Sequence, residues 1–192
     1  MREVPFGQDG NYSHEAIINR INADLANDLG NLAQRSLSMI GKNLEGIVPQ
    51  PGASSLPTRT SSPRRRVAAR PAATRWKAAD PSRAEAIWGV VAEANRYFAN
   101  QAPWQLRKTD PERAATVLYV TAEVIRQIAI LSQPVMPGSA GKLLDLLAIP
   151  ESGRSFASLG AHAGRLAPGS TLPTPAGVFP RYVEAEEAEK SA

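Results

Sequence analysis

The sequence contains no cysteine and only two histidines, His14 and His162. Disulfides, thiol nucleophiles and cysteine-based zinc sites are excluded within these residues, and a histidine-rich metal site is not expected. Aromatic residues are sparse at 6%. Glu123 and Arg126 interrupt the most apolar stretch, Val117–Leu131, so no uncharged apolar run of membrane-spanning length occurs. The sequence therefore predicts neither a metal site nor a membrane helix.

The length and the first residues of the sequence set two further expectations. At roughly 100–200 residues per domain, 192 residues correspond to a single domain. The first ten residues, MREVPFGQDG, lack the apolar core of a signal peptide, so the cytoplasm is the expected compartment.

The positive charge is confined to one segment. The formal net charge is +4, but seven basic residues and no acidic ones lie between Arg59 and Lys77. Outside that segment, 15 basic and 18 acidic residues remain. The basic pI alone is therefore a poor argument for RNA binding, although a basic segment is typical of nucleic-acid contacts.

The first predicted element is a long amphipathic helix from Ser13 to Ile40, with Ser13 as its N-cap. At about 100° per residue its apolar side chains form one stripe. Asn27, Asn31 and Arg35 recur every four residues, which places them along the opposite, exposed face. Judged by spacing alone, these three residues could simply form a solvated polar face without a binding role. The predicted buried stripe consists of Ile18, Ile21, Leu25, Leu29, Leu32, Met39 and Ile40.

Periodicity is lost in the segment 51–83, which is rich in Pro, Arg and Ser and predicts disorder. It returns in a helix that begins near Ser82 and ends before Pro103, where a bend presents Trp104. A third helix begins with Asp110 as N-cap and continues to Gln133, and a short helix, 139–147, follows. The sequence thus predicts an all-α bundle in residues 1–50 and 84–150, with an extended tail, 151–192, folded over it.

No motif for catalysis is present. The sequence lacks a phosphate-binding Gly-Lys-Ser/Thr loop, a Gly-x-Gly-x-x-Gly fingerprint and a histidine-based catalytic pair. The carboxylates of the predicted helices are interpreted as members of solvated polar faces. No catalytic residue and no metal ligand is predicted.

Four motifs in order carry a family resemblance. They are Asn-Ala-Asp-Leu-Ala-Asn-x-x-Gly-Asn-Leu-x-x-Arg (22–35), Ala-Asn-Arg-Tyr (94–97) leading into Gln-Ala-Pro-Trp (101–104), Gln-Pro-Val-Met-Pro (133–137) and Phe-Pro-Arg (179–181). On these motifs the chain resembles the C-terminal anticodon-binding domain of bacterial methionyl-tRNA synthetase over about residues 1–50 and 84–183. The resemblance implies the anticodon-binding helical bundle of class I synthetases.

The resemblance also implies a binding mechanism. In the family, the bundle holds the anticodon stem-loop of methionine tRNA and splays out the CAU bases. One base stacks on the tryptophan of Gln-Ala-Pro-Trp, and an Asn and an Arg on the first helix hydrogen-bond to bases. The corresponding residues are Trp104, Asn31 and Arg35, with Asn27 one turn earlier as a weaker candidate. Trp88 and Trp76 are interpreted as structural and incidental, respectively.

Two departures from the family follow from the same resemblance. The nucleotide-binding catalytic domain, with its His-Ile-Gly-His-type and Lys-Met-Ser-Lys-Ser-type signatures, is absent from these residues, and the first ten residues resemble an internal stretch of the enzyme. The chain alone is therefore expected to need no cofactor, since ATP and Mg²⁺ belong to that missing domain. The expected partners are methionine tRNA and a separately encoded catalytic domain, with the chain itself a monomer. The alternatives are a helical remnant without a stable fold and a protein-interaction module.

The second departure is the segment 51–83, where the family has an Ala- and Leu-rich helix. One hypothesis is a pair of compensating frameshifts, either genuine or a sequencing error. The rival is a basic arm that contacts RNA phosphates. Resequencing this stretch separates sequencing error from the other two.

Overall fold

The computed structural model describes residues 13–52, 81–159 and 164–183, without the side chains of 81–84. The regular secondary structure of these residues is helical, apart from one isolated antiparallel bridge between Ile47 and Thr171. The predicted all-α class is confirmed, whereas most of the segment 51–83 lies outside the described residues. In chain order the elements are α1 (His14–Arg20), a π-helical segment (Ile21–Gly30), α2 (Asn31–Asn43), α3 (Pro81–Gln101), α4 (Pro103–Thr109), α5 (Pro111–Ser132), α6 (Pro137–Leu146), and 3₁₀ turns at Glu151–Gly153 and Phe156–Leu159.

The first three elements follow one another without a break, and we call them together the N-terminal helix. Its predicted cap is present, because the Ser13 hydroxyl accepts a hydrogen bond from the Ala16 N–H at 3.2 Å. The prediction of uniform α-helix is wrong in the middle, where ten residues are π-helical. The Asn31 N–H, for example, donates to the Ala26 carbonyl five residues earlier. Propensity and periodicity do not encode this wider turn, which depends on packing.

The burial of the predicted apolar stripe increases along the N-terminal helix. Leu29, Leu32 and Ile40 are fully buried, and they pack in the common core. The members of the stripe nearer the N-terminus are only partly buried, as is Met39. The second half of the helix is therefore the part most deeply buried in the bundle.

The centre of the bundle is α5, which contacts α2, α3, α4, α6 and the second 3₁₀ turn. Its predicted start is confirmed, since Asp110 Oδ1 accepts from the Arg113 N–H at 2.9 Å and Pro111 is the first helical residue. Every residue from 116 to 130 is buried. The helix is long and apolar enough to cross a membrane, but 89% of its most apolar window is buried inside the bundle. Its apolar composition is therefore that of a core helix.

The interpretation of the helix carboxylates as solvated is wrong for Glu123. Glu123 and Arg126 are both 0% exposed, and the Arg126 guanidinium donates two hydrogen bonds of 2.9 and 2.8 Å to the carboxylate. Gln127 Nε2 adds a third at 2.8 Å. The carboxylate also accepts from the Leu166 N–H at 3.1 Å, and Arg126 donates to the Ser158 carbonyl at 3.2 Å. This buried pair therefore connects α5 to the tail.

The Glu123 pair predicts how stability depends on pH. Burial alone would raise the pKa of Glu123, but the hydrogen bonds and positive charge of Arg126, helped by Gln127 and Leu166, lower it below its ordinary value of 4.5. Because the folded pKa is depressed, the stabilisation is complete above pH 4.5 and is lost as the pH falls through the folded pKa. We expect the free energy of unfolding to drop there, by at most about 1.4 kcal/mol per pH unit from this group. Urea titrations across this range should show a shallower slope in Glu123→Gln; an unchanged slope would contradict the assignment.

The predicted tail over the bundle is confirmed for residues 164–183, which run antiparallel to the N-terminal helix. The Val48 N–H donates to the Ser170 carbonyl at 2.8 Å, next to the bridge at Ile47. Further along, Pro175 lies near Gly41 and Phe179 near Gly30. The tail therefore follows the N-terminal helix back towards its start.

Candidate nucleic-acid interface

The bend before Trp104 is made by two residues. α3 ends at Gln101, and α4 begins at Pro103, whose missing N–H suits a first helical turn. Between them Ala102 takes the left-handed conformation, with φ 42° and ψ 61°, which ends the right-handed helix directly before Pro103. Trp104 follows directly and is 40% exposed. The structure thus presents Trp104 at the surface, as predicted.

Arg35 and Trp104 lie together. The guanidinium carbon of Arg35 is 5.2 Å from the centre of the Trp104 ring and 5.3 Å from that of Phe98. Both distances fall within the range of cation–π attraction. The two rings are 6.0 Å apart and tilted by 59°. Residues separated by 69 positions in the sequence therefore form one surface cluster, which we call the Arg35–Trp104 pair.

The Arg35 guanidinium has free hydrogen-bonding capacity. Arg35 is exposed, and its guanidinium makes no hydrogen bond or ion pair with any residue that the structure describes. A guanidinium offers five N–H donors in a planar fork, and its flat face stacks on aromatic rings. The pair therefore combines a stacking surface with directed donors, which are the two contacts that unpaired bases use.

Asn27 and Asn31 are exposed, as their spacing predicts. Within the described ranges neither side-chain amide has a hydrogen-bond partner. Asn31 is the first residue of α2 and lies one turn before Arg35, so both side chains point along one face. Asn27 lies inside the π-helical segment, where the four-residue spacing no longer guarantees alignment with Asn31. The structure thus places Asn31 on the same face as Arg35, whereas it does not fix Asn27 to that face.

Two side-chain contacts hold this surface in place, and the sequence pattern did not predict them. Arg107 of α4 donates a hydrogen bond to Asn43 Oδ1 at the end of α2. Arg113 donates two bonds, of 3.0 and 2.6 Å, to Gln101 Oε1. The first contact ties the helix of Trp104 to the helix of Arg35, and the second ties the end of α3 to α5.

Phe98 is the site residue that sequence reasoning missed. In the sequence Phe98 is only an apolar residue at helical spacing, and in the structure it is 1% exposed. Its ring nevertheless borders both Arg35 and Trp104. No local signal separates this role from ordinary core packing, because it depends on the tertiary packing that brings Phe98 of α3 close to Arg35 of α2.

Among residues 13–52, 81–159 and 164–183 no group of three or more His, Asp or Glu side chains could hold a metal ion. Trp88, interpreted as structural, is half-buried on α3, while Trp76 lies outside the described ranges.

The fold is that of the helical anticodon-binding bundles of class I aminoacyl-tRNA synthetases. A family model described as the anticodon binding domain of methionyl tRNA ligase matches residues 67–192, and the chain belongs to this family. A second model, described as tRNA synthetases class I (M), matches residues 1–37. The predicted resemblance is therefore confirmed, and the anticodon-domain match begins inside the basic segment.

Curated sequences and solved structures of related proteins support the same family assignment. The methionine–tRNA ligase of Brucella suis biovar 1 is 61% identical over 97% of this chain and 36% of its own length. That of Mycobacterium leprae is 52% identical over 97% of this chain and 35% of its own. The apo structure of Mycobacterium tuberculosis methionyl-tRNA synthetase superposes with a TM-score of 0.82 at 52% identity, covering 95% of this chain and 37% of that one. The chain thus spans little more than a third of its relatives' length, and the similarity extends over more of it than the four motifs.

Proposed function

We propose that this chain binds the anticodon stem-loop of methionine tRNA and recognises its CAU bases. The Arg35–Trp104 pair is the observation that carries the proposal, because it brings an exposed ring together with a guanidinium that makes no hydrogen bond or ion pair with the described residues. Sequence-specific RNA readers use such groups on unpaired loop bases. Membership of the anticodon-binding family supports the same assignment.

Each candidate residue has a distinct role in this proposal. Trp104 stacks on a splayed base with the ring face that Arg35 leaves open, and Arg35 donates to base edges from its position over the other face. Asn31 supplies an amide that can both donate and accept, one turn before Arg35. Asn27 is a weaker contributor, because it lies in the π-helical segment.

The role of the whole enzyme extends the proposal. We infer that the chain serves a methionyl-tRNA synthetase of the cytoplasm, which attaches methionine to its tRNA with ATP. ATP and Mg²⁺ would be held by a catalytic domain that these residues do not include. The 192 residues would contribute recognition of the tRNA and no catalytic group.

The proposal predicts a preference among otherwise identical RNAs. The chain should bind a CAU stem-loop at least about tenfold more tightly than the same stem-loop with a permuted anticodon, a difference of ~1.4 kcal/mol. The stems carry equal charge, so phosphate contacts cancel in the comparison. Titration at about 0.15 M salt measures both affinities.

The alternatives give different results in the same experiment. A helical remnant shows no cooperative melt by circular dichroism and no RNA binding. A protein-interaction module melts cooperatively but does not distinguish the two stem-loops. Either result would contradict anticodon recognition by this chain.

A further inference from the structure

The π-helical segment lies where recognition is proposed to occur. It spans Ile21–Gly30, contains Asn27 and ends directly before Asn31. π-helical hydrogen bonding is rare, and where it interrupts an α-helix it is frequently found at functional sites. The segment decides how Asn27 is turned relative to Asn31 and Arg35.

Gly30 is the last residue of the segment, and its lack of a side chain allows close packing against two neighbours. A Cβ placed at Gly30 would lie 2.9 Å from the carbonyl oxygen of Leu25 and 3.3 Å from Cβ of Phe179. The first distance is too short for a Cβ, and the crowding atom belongs to the backbone of the segment itself. Glycine is otherwise unfavourable inside a helix, so this close approach is the reason that the position suits it.

Neighbouring elements hold the same segment from both sides. The Asn95 side chain of α3 donates to the Asp28 carbonyl at 3.3 Å. On the tail, the Tyr182 N–H donates to Asn22 Oδ1 at 2.8 Å, and Asn22 Nδ2 donates back to the Tyr182 carbonyl at 3.0 Å. The wider turn is therefore supported by α3, by the tail and by the missing side chain at Gly30.

We propose that Gly30 is a positioning residue for anticodon recognition. Its absent side chain lets the backbone of the π-helical segment and Phe179 close together, and this closure sets the orientation of Asn27 and Asn31 relative to Arg35. A methyl group at Gly30 displaces the Leu25 carbonyl, so the segment shifts and the base-reading side chains lose their common alignment. The inference rests on the proposed function and adds a residue that touches no RNA.

Gly41 provides a matched control on the same helix. It also faces the tail, but a Cβ there would lie 3.5 Å from Pro175, an ordinary contact distance. Gly41→Ala should therefore raise the melting temperature, since alanine favours the helix more than glycine. Its preference for the CAU stem-loop should equal that of the unaltered chain.

Gly30→Ala should reduce the preference for the CAU stem-loop over the permuted one by about tenfold, while the weak binding of the permuted stem-loop stays within about twofold. Both affinities are titrated on the full chain, with circular dichroism melts alongside. Phe179→Ala leaves the sequence of the N-terminal helix intact, so it tests the proposal even if Gly30→Ala does not melt cooperatively. Phe179→Ala should reduce the preference for the CAU stem-loop by about threefold.

The outcomes separate this inference from the proposed function. If Gly30→Ala folds and keeps the preference for the CAU stem-loop, the positioning role alone is overturned. If Gly30→Ala does not fold, a preference retained in Phe179→Ala overturns it instead. Absence of any preference in the unaltered chain overturns anticodon recognition instead. Equal loss of preference in Gly41→Ala would also overturn the positioning role, because it would show a general effect of alanine on this helix.

Discussion

Arg126→Met is expected to lower the free energy of unfolding by about 3–5 kcal/mol, the usual cost of leaving a buried charge without its partner. The Glu123 carboxylate would stay fully buried with its two strongest hydrogen bonds removed, while methionine keeps most of the arginine volume. Total stability of a domain is about 5–15 kcal/mol, so the loss is a large fraction of it. Urea unfolding at neutral pH measures the change.

The control for this prediction is the exposed cation Lys142 on α6. Lys142→Met should change the free energy of unfolding by no more than about 0.5 kcal/mol. The double variant Glu123→Leu with Arg126→Met should recover only part of the loss, because the Leu166 N–H and the Ser158 carbonyl lose their partners. An Arg126→Met protein as stable as the original would show that the pair does not hold the tail.

Trp104→Ala is expected to weaken binding of the CAU stem-loop by about 5- to 150-fold, corresponding to ~1–3 kcal/mol for one stacked base. Binding of the permuted stem-loop should barely change, because phosphate contacts dominate it. The ring is 40% exposed, so the fold should survive its removal. Parallel titrations of both RNAs, with helical melts, measure the effect.

Two controls make the Trp104 prediction specific. Trp88→Phe alters a half-buried tryptophan on α3 and should leave the preference unchanged. Arg35→Lys keeps the charge but loses the planar fork, so it should lose preference nearly as far as Arg35→Ala does. Equal loss of cognate and permuted binding on Trp104→Ala, with the helical signal unchanged, would remove Trp104 from the recognition site.

The basic run from Arg59 to Lys77 should behave differently. If it contacts RNA, its deletion should lower affinity for both stem-loops alike and flatten the dependence of binding on salt, because phosphate neutralisation carries no sequence information. A selective loss of CAU binding on this deletion would transfer part of the recognition to the run.

Helix positions and caps follow from the sequence because they depend on neighbouring residues. Ser13 and Asp110 each accept a backbone hydrogen bond within their own first turn, and Pro103 and Pro111 each begin a helix. The exposed Trp104 follows from the bend before Pro103. The motif order likewise predicted the family, which the comparisons confirm.

The sequence pattern could not predict features that depend on distant parts of the chain. Glu123 was expected to be solvated because its charge is visible in the sequence, whereas its partners at Ser158 and Leu166 become neighbours only after the tail packs. The π-helical turn before Asn31 was likewise invisible, since it needs the support of α3 and Phe179.

The sequence by itself determined the helical class, the starts of the main helices and the residue types that can read bases. Only the tertiary structure decided that Arg35 lies over Trp104 with Phe98 close to both, because these residues come from α2, α4 and α3 and meet only when the helices pack. It also decided which glycine matters. Gly30 and Gly41 look alike in a helical pattern, and only the approach of Phe179 and the Leu25 carbonyl distinguishes them.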